Sequence, residues 1–120
     1  MTASERQEYN RLPQEAQDDY NYQKRKHPSW NHEQLMSKIS IENEIETLIG
    51  KGGKDVNVSD PATLKDILVG AKAFLERYGI NIGRIMDAIN GAIKSLQYVI
   101  KTGLEYIGEK IFGAVAWLFD

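Results

Sequence analysis

The chain has no cysteine. That excludes disulfides, thiolate nucleophiles and cysteine-ligated metals, and it fits a reducing compartment. Histidine is nearly lacking, at 2 residues, so a zinc site would need carboxylates to complete it. His27 and His32 lie across a proline turn at a spacing that matches no ligand motif, and neither a metal nor any other cofactor is expected. A surplus of charge is lacking as well. The formal net charge of -2 removes the broad electrostatic argument for a nucleic-acid coat protein. Long apolar runs are missing: the longest, Ile111 to Phe119, is far shorter than the roughly twenty residues a bilayer-spanning helix needs. The start, Met1 to Glu8, is polar and charged without the apolar centre of a signal peptide, so a soluble, cytoplasmic protein is expected.

What remains is helix. Residues 4–26 read as a helix interrupted once, with Ser4 as N-cap and Tyr9, Leu12, Ala16 and Tyr20 at helical spacing. Pro13 restarts that helix, because proline is tolerated in a first turn and not in an interior. The apolar stripe is thin and must dock on something else. His27-Pro28 closes the segment, since the residue before a proline is driven out of the α region. Asn31 then caps the next helix, with Gln34 as its capping-box partner. Leu35, Ile39, Ile41, Ile45, Leu48 and Ile49 supply a fuller stripe, and Gly50 ends it. Glu33, Glu42, Glu44 and Glu46 read as a solvated face. Residues 51–60 form the one clear linker, and Asp60-Pro61 opens a further helix with a capping carboxylate and a proline at the first helical position. Its buried face is Leu64, Ile67, Leu68, Ala71, Phe74, Leu75 and Tyr78, and Gly79 stops it.

The last third carries the strongest pattern. Ile82, Ile85, Ile89, Ile93, Leu96, Ile100, Leu104, Ile107, Ile111, Val115 and Leu118 recur at steps of three, four and four. That is an eleven-residue period of about 3.67 residues per turn, which keeps one apolar stripe on one face of a helix. Gly83, Gly91, Gly103, Gly108 and Gly113 lie inside it, each costing about 0.8–1 kcal/mol relative to alanine. A helix so weakened depends on packing partners. Asn90-Gly91 is a turn dipeptide, but the stripe keeps phase across it, which favours a continuous helix. Lys94, Lys101, Glu105 and Glu109 form the polar face; after Ile111 it vanishes, with Phe112, Ala116 and Phe119 off the stripe and Trp117 beside it. A helix apolar all round must be buried.

The expected architecture is all-α: short N-terminal helices over 1–50, a linker over 51–60, and a C-terminal hairpin or bundle over 61–120, together one domain. Its long amphipathic helix is expected over about 81–119.

Motifs with a catalytic mechanism are absent, so the expectation is that the protein is not an enzyme and has no small-molecule substrate. Gly50-Lys51-Gly52-Gly53-Lys54 has the composition of a phosphate-cradling loop, but it follows a helix and Lys54 precedes Asp55. From Tyr20 to Ile39 the helix, proline turn and capped helix resemble a helical corner of an HMG-box domain, with no diagnostic motif and no function carried over. Three functions are open. The first is a structural or adaptor protein that self-associates or binds a protein partner through Ile100, Leu104, Ile107, Ile111, Phe112, Val115, Trp117, Leu118 and Phe119. Small cysteine-free helical proteins of this type are common among virion components and accessory proteins of phages and mobile elements. The second is binding to a membrane surface by the same amphipathic helix, with Trp117 suited to the interface. The third is nucleic-acid binding by Tyr22, Lys24, Arg25, Lys26 and Trp30, where basic groups meet phosphates and rings stack on bases.

Overall fold

The structure, a computed structural model, describes residues 1–50, 61–91 and 94. Among the described residues there are five helices and no strand. They are α1 (Ala3–Arg11), α2 (Gln14–Lys26), α3 (His32–Gly50) and α4 (Pro61–Arg77), followed by α5, helical over 85–91 and again at 94. The expected linker, the Asp60 cap and the terminal helix past 94 lie outside the described residues.

Helix boundaries follow local chemistry. Thr2, not Ser4, caps α1: its hydroxyl accepts from the Glu5 N–H at 3.1 Å, and the Glu5 carboxylate accepts from the Thr2 N–H at 2.9 Å. The earlier start wins because it places a carboxylate at the positive end of the helix, and the Thr2 N–H holds the Glu5 carboxyl below its ordinary value. Leu12 is extended, as the residue before a proline must be, and Pro13 stands one position before the first residue of α2. Gln17 donates to the carbonyls of Tyr9 and Leu12, at 3.1 and 3.2 Å, and so closes the open end of α1. Asn31 and Gln34 form the expected reciprocal capping box at 2.8 and 2.9 Å.

The central element is α3, which packs most extensively on α4 and then on α2. Every residue from Leu35 to Ile41 is buried, Lys38 included, so these roughly two turns are enclosed all round. The solvated face expected of its glutamates is therefore incorrect for three of the four. Glu33 pairs with Arg84 at 2.7 Å and Glu42 with Lys38 at 3.2 Å. Glu44 lies against Gly70, where a Cβ would collide with it, and only Glu46 is fully exposed. A helix with neighbours on two sides has too little free surface to keep such a row in water.

Pro61 opens α4, and its face of Leu64, Ile67, Ala71, Phe74 and Leu75 is buried, with Leu68 and Tyr78 half-buried beside it. Each fully buried Leu or Ile contributes about 1.5–3 kcal/mol relative to an exposed one. Gly79 ends the helix in the left-handed region at φ 68, with Gly79 N–H donating to the Glu76 carbonyl at 3.0 Å and Ile80 N–H to that of Leu75 at 3.1 Å.

The next helix begins four residues later than expected. The Asn81 side-chain oxygen accepts from the Gly83 N–H at 2.9 Å, which ties residues 81–83 into a turn, and regular helix starts at 85. Gly83 is thus a turn residue and not a helix-interior one. Asn90 and Gly91 are both helical. Of the apolar stripe, Ile85 and Ile89 are buried and Ile82 half-buried in one core, which also draws on Leu12, Tyr20 and Trp30.

Candidate functional site

The C-terminal contact residues Ile100, Leu104, Ile107, Ile111, Phe112, Val115, Trp117, Leu118 and Phe119 lie outside the described residues, as does the Lys51–Lys54 loop. The basic and aromatic group is divided by the fold. Tyr22, Lys24, Arg25 and Lys26 are exposed on the last two turns of α2, with the Lys26 ammonium 5.9 Å from the Tyr22 ring centre. Trp30 is 2% exposed and stacks on His27, with ring centres 3.8 Å apart at 7°. The turn after α2 brings those two rings together: Trp30 N–H donates to the His27 carbonyl at 3.0 Å. Trp30 thus fills the joint between α2 and α3 and is not presented beside the basic residues.

Two polar arrangements, neither visible from spacing, stand out. The first is a cleft of about 410 Å³ between α2, α3 and α4. Its apolar wall includes Ile39, Phe74 and Tyr78, the last two rings meeting edge to face at 5.2 Å. Its rim carries Glu15, Asp19, Glu42 and Glu46, with Arg77 opposite in sign. Gln23, buried behind it, donates to Asp19 at 3.2 Å and to Glu42 at 3.3 Å. Burial pushes the Glu42 carboxyl up to about 7; Lys38 opposes that shift and the Asp19 carboxylate adds to it. Burial likewise drives the Lys38 ammonium below its ordinary value, against the attraction of Glu42. Both shifts express one fact: removing the pair from water costs more than their mutual attraction returns. The run from Leu35 to Ile41, in which Lys38 is the lone charge among apolar and small residues, is the sequence signal that could have located this pair.

The second is a hydrogen-bonded chain under α1. Glu8 Oε1 meets His32 Nε2 at 2.9 Å, and His32 Nδ1 meets the Tyr20 hydroxyl at 2.9 Å. With Nε2–H donating to the carboxylate, Nδ1 of a neutral ring accepts from the phenol. Burial raises the Tyr20 hydroxyl to about 12, so it stays protonated and serves as that donor. Glu8 Oε2 also accepts from the Asn81 N–H at 3.1 Å, and Arg11 donates to the Gly79 carbonyl at 2.6 Å. Tyr20 and His32 are 3% and 6% exposed, so the phenol end of this carboxylate–imidazole–phenol chain is built into the body, while Glu8 and His32 line a small cleft of about 50 Å³ with Asn81 and Arg84.

These features define a small all-α helical bundle. Among the described residues there is no group of three His, Cys, Asp or Glu side chains placed to hold a metal ion, and no helix long and apolar enough to cross a membrane. Comparison of the chain with protein-family models, curated proteins and solved structures gave no match, the HMG-box likeness of residues 20–39 included.

Proposed function

We propose that this chain is a non-enzymatic structural or adaptor protein that self-associates or docks into a larger assembly through its C-terminal apolar stripe. The observation that supports it is how the body uses that stripe. Ile82, Ile85 and Ile89 are absorbed into the core, and the large hydrophobics exposed among the described residues are the scattered Met1, Tyr22 and Val69. The sequence continues the stripe from Ile93 to Leu118 and then closes it with a tip that lacks a polar face. An apolar stripe of that length needs cover, and in this reading a second molecule supplies it. Light scattering behind a sizing column tests this. The full chain is expected to exceed monomer mass at tens of micromolar, and truncation of residues 111–120 to restore the monomer. A full-length monomer indifferent to the truncation refutes the reading.

A second reading, nucleic-acid binding, is favoured by the exposure of Tyr22 beside Lys24, Arg25 and Lys26. Without Trp30 it rests on fewer contacts. Reversing the three charges should abolish a salt-sensitive interaction with DNA or RNA; no binding at low salt removes it.

A further inference from the structure

The nine residues of α1 include none that is buried, which is unusual for a helix held in one place. Its apolar C-cap residue Leu12 is anchored in the core, and Tyr9 lies edge to face on Tyr20 at 5.2 Å. The rest of its attachment is polar and falls on one spot. Glu8 and Arg11, three apart and so on one face of α1, grip the chain reversal between α4 and α5 from both sides of a single backbone segment. Arg11 donates to the Gly79 carbonyl at 2.6 Å, and Glu8 accepts from the Asn81 N–H at 3.1 Å while its other oxygen is held by His32.

We infer that α1 is a detachable strap, a Glu8–Arg11 pincer on Gly79 and Asn81 that fixes the direction in which α5 leaves the body. Gly79, at φ 68, turns the chain back after α4, and beyond that turn the Gly79 carbonyl and the Asn81 amide both bond to α1. Any pivot of α5 breaks the two bonds together. The same reversal is held apolarly by Ile80 and Ile85, both buried, and by the Arg84–Glu33 pair at 2.7 Å. Release of α1 therefore leaves the core of α3 and α4 assembled and loosens only the joint. The bonds from Arg11 to Gly79 and from Asn81 to Glu8 are exposed and exchange with water at little cost, whereas the Glu8–His32 bond, on a ring 4% exposed, is the dearer one to release. The strap concerns residues 3–91 and is independent of the contacts proposed for residues 100–119.

The test uses the full chain as Glu8→Gln/Arg11→Met, and as Arg11→Met alone, whose side chain is exposed. Amide exchange at Asn81 is expected to accelerate about tenfold or more, while amides of Leu35, Ile39 and Ile67 keep their protection. Because the chain has no cysteine, spin labels can be placed at exposed Lys65 and Asp87. The distance between α4 and α5 should broaden or split in the variants and stay single in the parent. Unchanged exchange and an unchanged distance in both variants overturn the strap. So does a uniform loss of protection across α3 and α4 in both, which would make α1 an inseparable part of the core.

Discussion

Glutamine at position 42 gives the sharpest test of the electrostatics. In the folded chain the Glu42 side chain is 15% exposed and sits 3.2 Å from an ammonium that is itself 3% exposed. Burial raises its carboxyl from 4.5 to about 7. The folded state therefore keeps a proton that the unfolded chain has already released between these values. Stability from this group is fully present below the unfolded value and is lost as pH rises through about 7. Taken at face value the shift is worth about 3 kcal/mol. Residual solvent contact reduces it, and about 1–2 kcal/mol is the expected loss between pH 5 and pH 8. Urea unfolding of the parent and of Glu42→Gln at intervals across that range measures it, since the amide mimics the protonated carboxyl and cancels the other titrating groups in the difference. Lys38→Met removes the charge that keeps the carboxylate ionised, so the loss should move to higher pH in that variant. Parallel pH profiles for the parent and Glu42→Gln would refute the reasoning and return Glu42 to the solvent.

Two further substitutions test local structure. Asn31→Ala removes the half of the α3 capping box in which the Asn31 side-chain oxygen accepts from the Gln34 N–H, and should lower stability by about 1 kcal/mol, read as a fall of a few degrees in the melting midpoint; an unchanged midpoint would show that α3 is held by packing alone. Gly79→Ala should cost about 1–2 kcal/mol in urea unfolding through backbone strain, because a Cβ there has room, with the nearest atom 3.7 Å away on Arg11. Gly79→Asn should recover part of that loss, and an alanine variant as stable as the parent would disprove the left-handed turn.

Several elements were legible without tertiary information because their signals are local. The Asn31–Gln34 box, the proline break at Pro13, the start at Pro61 and the stop at Gly79 all depend on hydrogen bonds or torsions spanning a handful of residues. The α4 face could be read from spacing for the same reason: a period of 3.6 residues puts Leu64, Ile67, Ala71, Phe74 and Leu75 on one side whatever they meet. The start of α5 escaped, because Asn81 competes for the Gly83 N–H with its side chain, and the apolar stripe runs through that turn without a change of phase.

Spacing alone offered Trp30 as a base-stacking ring, and only the arrangement of α2 against α3 buries it in their joint instead. The glutamates of α3 show the same limit. A carboxylate at an outward position is solvated in an isolated helix, but α2 and α4 enclose α3 on two sides, bring Asp19 and Gly70 against that row and bury the Lys38–Glu42 pair that α3 makes within itself. By itself the sequence determined which faces are apolar and most helix boundaries, the starts of α1 and α5 excepted, since those follow from short-range bonding and periodicity. Tertiary structure alone decided which charges lose their water and which backbone groups α1 grips, because both depend on residues brought together across the chain, as Arg11 is to Gly79.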